Sequence, residues 1–293
     1  MDGVVNFLKP PGMTSSDAVL DLRRLYGERR AGHLGTLDPA AAGVLPVCFG
    51  RATRLFDLLV DKDKEYVFEA AFGTQTDTQD ACGTVTARNE RVVERGELES
   101  ILPSMLGGQM QQASIYSALK VDGKKMYELA RAGKTVEPKS REIEITALNL
   151  LAETEQNHFL LRAVCSRGTY VRSLAESIAE RLGTVAYVPF LLRARSGPFR
   201  VEDAKTLAEL EQAKTEGTLL STLVSCEEAT AFLPELVLDA DRATPTKNGL
   251  ETNLRDTPEG LYRAYAAGEF LGIGRVENGS FRLTIHLYDR VQE

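Results

Sequence analysis

Apolar and polar positions along this 293-residue chain follow a helical period in some stretches and a strand period in others. In "TSSDAVLDLRRLYG", Val19, Leu22 and Leu25 recur near helical spacing, hydroxyls stand where they can cap a helix, and Gly27 can end it. The stretch "TYVRSLAESIAERLG" predicts a second amphipathic helix that ends at Gly183. Shorter helices are predicted in "ELESILPSMLG", in "KKMYELARAG" and, as the last helix, in "DAKTLAELEQA".

Alternation of apolar and polar residues predicts strands elsewhere. "KEYVFEAAFG" places Tyr66, Phe68, Ala70 and Phe72 on one face. "REIEITALNLL" and "HFLLRAVCS" lie about seven residues apart, which predicts neighbouring antiparallel strands. "AYVPFLLRARSGPF" is typical of a further strand.

After about residue 230 the sequence pattern changes to one that predicts short strands separated by Gly and Asn turns. We therefore predict a large domain over residues 1–230 and a small β domain over residues 231–293. A chain that is 43% hydrophobic can bury a sizeable core in the larger one.

The net charge of −7 disfavours a nucleic-acid partner at first sight, but its distribution changes that interpretation. Residues 61–110 and 201–240 together carry −12, so the remaining stretches sum to +5. Residues 120–141 alone hold seven basic and three acidic groups. This segregation is compatible with an RNA-binding surface and does not prove one.

Composition excludes several classes of protein. Four scattered cysteines without a Cys-x-x-Cys pair predict free thiols in a reducing cytoplasm. The three histidines lack ligand spacing, so no metal is expected. No phosphate-binding loop or convincing dinucleotide fingerprint points to a cofactor. The chain shows neither an apolar run that could span a membrane nor, over residues 1–12, the layout of a signal peptide.

One loop, "GHLGTLDPAAAGVLP" at residues 32–46, carries a single carboxylate, Asp38, among glycines, prolines and small residues. An Asp-Pro pair is a frequent turn initiator, which is one interpretation. A lone carboxylate on a rigid backbone that glycines open to a ligand also suits a nucleophile or a base. The loop alone does not decide between the two.

The same loop resembles the aspartate motif of the TruB family of pseudouridine synthases, and five further stretches resemble that family in the expected order. They cover residues 3 to about 200 and read "LKPPGMTS", "KEYVFEAAFGTQTDTQDACG", "YSALKVDGKKMYELARAGKTVEPKSREI", "CSRGTYVRSLAESIAERLG" and "LLRARSGPF". Two departures concern local loop shape: Leu8 stands where the family commonly has an acidic residue, and Ala113-Ser114-Ile115 where it commonly has paired prolines.

The resemblance implies the catalytic residues. Asp38 would attack C1′ of the ribose, or assist cleavage of the glycosidic bond, while uracil rotates and reattaches through C5. Tyr66 would stack on the uracil and serve a proton transfer, although its alternation with Phe68 also fits a core aromatic. Arg172 would pair with Asp38, although its place in a helix also fits a surface charge.

The resemblance also implies residues that bind the substrate. A uridine in a folded loop must be flipped out before it can react, at a cost of a few kcal/mol. His33 would occupy the vacated space, and Tyr170 and Leu191 would line the uracil pocket, with Leu192 as the alternative to Leu191. Lys9 belongs to the same site, with a role more structural than catalytic. Each of these residues could instead be an ordinary structural group.

The implied fold is a mixed α/β catalytic domain around a largely antiparallel sheet, followed by a small C-terminal β domain of PUA-like type that binds RNA. The implied substrate is the T-loop uridine of tRNA, position 55, with an insertion at about residues 105–141 gripping the T arm. The enzyme would be a cytoplasmic monomer that needs no cofactor, metal, membrane or protein partner.

Three other functions fit parts of the pattern. A guide-dependent RNA pseudouridylase shares the aspartate motif, but the insertion favours a stand-alone tRNA enzyme. An RNA chaperone would need no chemistry, which the set of Asp38, Tyr66 and Arg172 argues against. A glycosidase would normally need two carboxylates, and this loop offers one.

Overall fold

The computed structural model describes residues 1–112 and 140–288, together with the backbone of two short strands at residues 120–121 and 124–125. The predicted helix in "KKMYELARAG" and most of the basic insertion lie outside the described residues.

Strands outnumber helices in the described part of the chain. The strands are β1 (Gly3–Lys9), β2 (Ala31–His33), β3 (Ala42–Phe49), β4 (Lys64–Phe72), β5 (Thr74–Thr76), β6 (Val85–Arg88), β7 (Gly107–Gln112), β8 (Lys120–Val121), β9 (Lys124–Lys125), β10 (Ser140–Glu155), β11 (His158–Cys165), β12 (Ala186–Ser196), β13 (Phe199–Arg200), β14 (Leu223–Val224), β15 (Glu235–Leu238), β16 (Thr252–Asn253), β17 (Gly260–Ala266), β18 (Glu269–Glu277) and β19 (Ser280–His286). The described α-helices are α1 (Ser15–Tyr26), α2 (Phe56–Val60), α3 (Arg95–Ile101), α4 (Val171–Arg181), α5 (Leu207–Thr215), α6 (Cys226–Ala229) and α7 (Ala243–Lys247). Short 3₁₀ helices are formed by Gly50–Leu55, Leu102–Met105, Val201–Asp203, Leu219–Thr222 and Ala240–Arg242.

A ten-stranded sheet forms the larger part of the molecule. Its main path runs β14-β1-β3-β12-β4-β11-β10-β7, with β2 on β3 and β13 on β12. Among these described strands only β3 and β12 pair in parallel, with Leu192 opposite Ala42 and Arg193 opposite Gly43. The predicted mixed α/β fold around a largely antiparallel sheet is confirmed, as is the antiparallel pairing of β10 with β11.

Helices cover both faces of this sheet because β4 and its neighbours bury apolar side chains. On one face, α3 and α4 contribute Leu98, Leu174 and Ile178 to a buried cluster with Phe68 of β4. On the other, α1 and α5 contribute Ala18, Leu22 and Leu210 to a cluster with Val5 and Val47. Tyr66 packs at the edge of both clusters, where the predicted apolar face of β4 meets the site.

Local signals explain the ends of α1. Thr14 accepts a hydrogen bond from the Asp17 amide, and the Asp17 carboxylate accepts one from the Thr14 amide, which is a capping box. Gly27 ends the helix at φ 69°, in the left-handed region. The predicted helix is confirmed at both ends.

A second sheet of five strands, ordered β15-β17-β18-β19-β16, forms the C-terminal part. It has its own buried cluster around Leu271, Val276 and Phe281. Ile273 and Leu287 instead share a cluster with residues of the first part, including Leu55 and Leu59. The small C-terminal β domain is confirmed, and it packs on the larger part through apolar side chains.

The prediction that "DAKTLAELEQA" is the last helix was wrong, because α6 and α7 follow it. These helices have four and five residues, too few for a helical period to register in the sequence. Over the described residues, no helix is both long and apolar enough to cross a membrane.

Candidate active site

Asp38 lies in the loop between β2 and β3, and buried contacts fix the backbone of that loop. The hydroxyl of Ser15 donates to the Leu37 carbonyl and accepts from the Leu37 amide, both at 2.9 Å. The amide of Ala41 donates to the Asp38 carbonyl at 3.1 Å. Leu37 and Ala41 are buried on either side of the aspartate. The loop contains few polar residues because its apolar side chains Leu34, Leu37 and Ala41 pack into the core.

Lys9 lies beneath this loop. Its ammonium donates to the carbonyls of Pro10, Met13 and Pro39 at 2.7, 2.8 and 3.3 Å, and the side chain is fully buried. Burial lowers the pKa of Lys9 to about 8, against the opposing charge of Asp38. Lys9 is therefore buried behind the Asp38 loop and is not among the residues that line the cavity described below.

The guanidinium of Arg172 meets the carboxylate of Asp38. Arg172 is the second residue of α4, and its Nη2 lies 2.9 Å from Asp38 Oδ2. The Arg172 side chain is 5% exposed and that of Asp38 is 34% exposed, so a buried cation orients a partly accessible carboxylate. Burial excludes the alternative interpretation of Arg172 as a solvated helix charge.

Arg172 has a second acidic neighbour, which no sequence motif indicated. Its Nη1 donates to the Thr78 carbonyl at 2.8 Å and lies 3.5 Å from Asp80 Oδ2. The other oxygen of Asp80 accepts from the Thr78 hydroxyl at 2.6 Å and from the Cys82 amide at 3.0 Å. These bonds fix Asp80 within its own turn, so Asp80 holds one terminal nitrogen of Arg172 while Asp38 contacts the other.

A cavity of about 350 Å³ opens beside the ion pair. It is lined by six of the seven residues that the resemblance assigned to the site: His33, Asp38, Tyr66, Tyr170, Arg172 and Leu191. Leu191 pairs with Phe68 of β4 and lies on the cavity wall, whereas Leu192 is not part of that lining. The volume is within the range of small-molecule sites and suits a nucleobase with its sugar.

Tyr66 reaches the cavity from β4 and is half-buried. Burial raises the pKa of its hydroxyl, and the charge and hydrogen bonding of the neighbouring Arg193 act in the opposite direction. A tyrosine with a raised pKa keeps its proton near neutral pH and can donate a hydrogen bond. The ring and hydroxyl therefore offer a surface for stacking and a proton donor to whatever enters.

Tyr170 forms another part of the wall just before α4. Its backbone amide and carbonyl both bond the Gln111 side chain of β7, at 2.8 and 2.9 Å. The guanidinium of Arg141 lies 5.0 Å from the Tyr170 ring centroid, and its Nη2 donates to the hydroxyl at 3.4 Å. Arg141 and Arg167 add positive charge to the cavity lining, which favours an anionic ligand such as a phosphate.

No group of His, Cys, Asp or Glu in the described part of the chain is arranged to hold a metal ion. What the site offers is one accessible carboxylate, a buried guanidinium that orients it, and an aromatic wall. This arrangement suits nucleophilic or ionic chemistry on a planar substrate.

A family model described as "TruB family pseudouridylate synthase (N terminal domain)" matches residues 23–171. The chain belongs to the TruB family. This chain is 44% identical over 256 residues to a curated relative from Geobacillus thermodenitrificans and 43% identical over 257 residues to one from Bacillus cereus. Each alignment covers 85% of this chain, with 85% and 84% of the relative, and both relatives are named "tRNA pseudouridine synthase B". This TruB family member is a pseudouridine synthase.

Solved structures of two ribonucleoprotein-related complexes share the fold. A Cbf5-Nop10-Gar1 complex matches with a TM-score of 0.72 and 26% identity, over 93% of this chain and 78% of that one. An H/ACA ribonucleoprotein bound to a substrate RNA containing 2′-deoxyuridine matches with a TM-score of 0.72 and 25% identity, over 93% and 77%.

Proposed function

We propose that this protein isomerises uridine to pseudouridine in the T-loop of tRNA, with Asp38 as the nucleophile. The observation that carries the proposal is the 2.9 Å contact between Arg172 and Asp38 at a cavity that Tyr66 also lines. It supplies an oriented carboxylate beside a stacking surface, which is what exchange of a base on a sugar requires.

The reaction breaks the bond between C1′ and N1 and forms one between C1′ and C5. Asp38 either forms a covalent bond to C1′ or assists departure of the uracil and stabilises the sugar cation. The freed uracil rotates, C5 attaches to C1′ and loses its proton, and N1 gains one. Atoms and charge balance within the substrate, so no external oxidant, reductant or energy source enters.

The other lining residues bind the flipped nucleotide. Tyr66 stacks on the uracil and serves the proton transfer, while Tyr170 and Leu191 enclose the base. Stacking on aromatic side chains contributes about 1–3 kcal/mol per base, which offsets part of the cost of unstacking. His33, at the end of β2 and on the rim of the cavity, fills the space that the base leaves.

tRNA is favoured over a guide-dependent substrate. The relatives named as tRNA enzymes are 42–44% identical, against 25–26% for the ribonucleoprotein components. The basic insertion supplies a grip on the T arm without protein partners, and the protein acts as a monomer.

The C-terminal sheet acts as a PUA-like accessory contact for RNA beside a catalytic domain that ends near residue 230. The four unpaired cysteines support a cytoplasmic location.

The test is incubation of the protein with an unmodified tRNA transcript, without cofactor or guide RNA, followed by mapping of pseudouridine. Modification confined to the T-loop uridine is expected, and Asp38→Asn is expected to lower turnover by on the order of 10⁴-fold or more while tRNA affinity is kept. Turnover of Asp38→Asn close to that of the wild type would remove Asp38 from the chemistry. A requirement for guide RNA would instead support the guide-dependent class.

A further inference from the structure

Arg193 of β12 is a buried cation that the proposed mechanism does not use. It is 1% exposed, and its three hydrogen bonds go to backbone carbonyls: Nε to Val44 at 2.7 Å, Nη1 to Thr36 at 3.2 Å and Nη2 to Gly35 at 3.2 Å. Among the described residues no ion pair links it to a carboxylate. Burying a charge without a counterion is unfavourable, so its retention here calls for a reason.

The three carbonyls lie on both sides of Asp38 in the sequence. Gly35 and Thr36 precede it in the loop, and Val44 follows it in β3. A single planar guanidinium therefore fixes both ends of the segment that carries the nucleophile. A lysine at this position would keep the charge but lose the rigid planar fork that holds the three carbonyls in one plane.

The backbone of Arg193 lies between the strand that carries Tyr66 and the strand that follows the Asp38 loop. In the ten-stranded sheet it is opposite Tyr66 of β4 on one side and Gly43 of β3 on the other. Its side chain also lines the cavity, and its charge lowers the pKa of the Tyr66 hydroxyl against the larger, opposite effect of burial. One residue thus contacts the Asp38 loop, borders the strand of Tyr66 and lines the cavity.

We propose that Arg193 is a positioning residue that sets the distance and orientation between the Asp38 carboxylate and the Tyr66 ring. The inference rests on the proposed function, because it matters only if Asp38 and Tyr66 act on the same nucleotide. Its charge also contributes a fixed positive potential behind the loop, where the reaction handles an anionic carboxylate and a departing uracil.

Arg193→Lys tests this inference because it keeps the charge and gives up the three-point contact. Single-turnover rates are measured at saturating tRNA, well below the melting temperature, and tRNA affinity is measured separately. We expect the single-turnover rate per folded molecule to fall about 100-fold, the loss expected when catalytic groups are misplaced by about 1 Å. The dissociation constant for tRNA should stay within about threefold of the wild-type value.

Arg195→Lys is the matched control. Arg195 lies two residues further along β12, contacts Glu65 at 3.5 Å and the Gly197 carbonyl at 3.3 Å, and does not line the cavity. The single-turnover rate of the Arg195→Lys variant should stay within about twofold of the wild-type rate. A wild type without pseudouridine activity would refute the proposed function, whereas an active wild type with an equally fast Arg193→Lys variant would refute only the role of Arg193.

A second variant separates positioning from folding. Arg193→Ala leaves a cavity of guanidinium shape, and added methylguanidinium should restore part of the lost rate without changing tRNA affinity. A purely structural residue predicts full rate in the fraction that folds and no response to methylguanidinium. That result, or failure of both variants to fold under any condition, would overturn the proposal.

Discussion

At the scale of single residues, Arg172 serves two carboxylates with one guanidinium. Asp38 lies 2.9 Å from Nη2 and Asp80 lies 3.5 Å from Nη1, while the Thr78 carbonyl accepts from the same Nη1. A planar group with five donors can hold such an arrangement, and an ammonium cannot. The orientation of Asp38 therefore depends on the geometry of Arg172 as well as on its charge.

We accordingly predict that Arg172→Lys lowers single-turnover activity by about 100-fold while tRNA affinity changes much less. The charge stays in place, but the carboxylate loses its fixed partner. Quench-flow formation of pseudouridine and filter binding measure the two quantities separately.

Arg181→Lys provides the comparison on the same helix. Arg181 is exposed and donates to the Ser104 hydroxyl at 2.8 Å, so its replacement should be nearly silent. Equal rates for the two variants would remove Arg172 from the active site and leave Asp38 without its partner.

Lys9 gives a prediction about stability and pH. Its pKa is about 8 in the folded protein and 10.5 in an unperturbed lysine. Between these values the unfolded chain binds more protons, so the contribution of Lys9 to stability increases as the pH rises from about 8 towards 10. Below pH 8 the amine is protonated in both states, and the cost of burying its charge is constant.

Relative to a Lys9→Met variant, the wild type should therefore gain up to about 1 kcal/mol of unfolding free energy per pH unit in that window. Urea unfolding of both proteins at pH 7, 8, 9 and 10 measures the difference. A difference that stays the same across the series would show that Lys9 titrates normally.

The sequence motifs predicted some residues of the site and missed others. Asp38, Tyr66 and Arg172 belong to recognisable stretches, and the structure brings all three to one cavity. Asp80 lies in a loop rich in Thr and Asp, where acidic residues are ordinary turn formers, so nothing local distinguishes it. Arg193 was equally hidden, because its partners are backbone carbonyls more than 140 positions away in the sequence.

At the scale of elements, the periodicity of apolar residues and the helix-capping residues predicted those strands and helices that depend on local sequence. Alternation identified β4, β10, β11 and β12, and the capping signals placed α1. The parallel pairing of β12 with β3 could not be predicted, since it depends on the chain returning after four other strands of the same sheet, β4, β7, β10 and β11. That pairing matters for the site, because it brings Arg193 against the loop of Asp38.

Gly43 tests this pairing. Its φ of 116° lies in a region that side chains rarely adopt, and a Cβ there would stand 2.3 Å from the Arg193 carbonyl oxygen. Gly43→Ala should destabilise the fold by about 3 kcal/mol, since strain and overpacking add.

Gly32→Ala is the control, because a Cβ at Gly32 would meet nothing within 4 Å. Denaturant midpoints of the two variants should differ clearly, with Gly32→Ala near the wild type. If Gly43→Ala were as stable as the control, the close approach of β3 and β12 would not hold.

At the scale of the whole molecule, the two sheets share a buried cluster while charge is distributed unevenly along the chain. Ile273 and Leu287 of the C-terminal part pack with Leu55 and Leu59, so the second sheet sits on the first through apolar contacts. The chain carries a net charge of −7, yet residues 120–141 hold seven basic and three acidic groups. An acidic protein that binds RNA must present its cations locally, because the overall field repels phosphate.

The basic insertion should therefore account for much of the salt dependence of tRNA binding, a prediction from the sequence alone. Replacing Lys124, Lys125 and Lys134 with alanine removes three cations, each of which releases close to one counterion when it contacts a phosphate. The slope of log affinity against log salt should become shallower by about 2–3, with weaker binding at low salt. Replacing Lys205 and Lys214, exposed residues within the acidic stretch 201–240, provides the control and should leave the slope unchanged. Equal slopes for the triple variant and the control would mean that the insertion is only a solvated surface, and that the grip on the tRNA lies on the cations around the cavity.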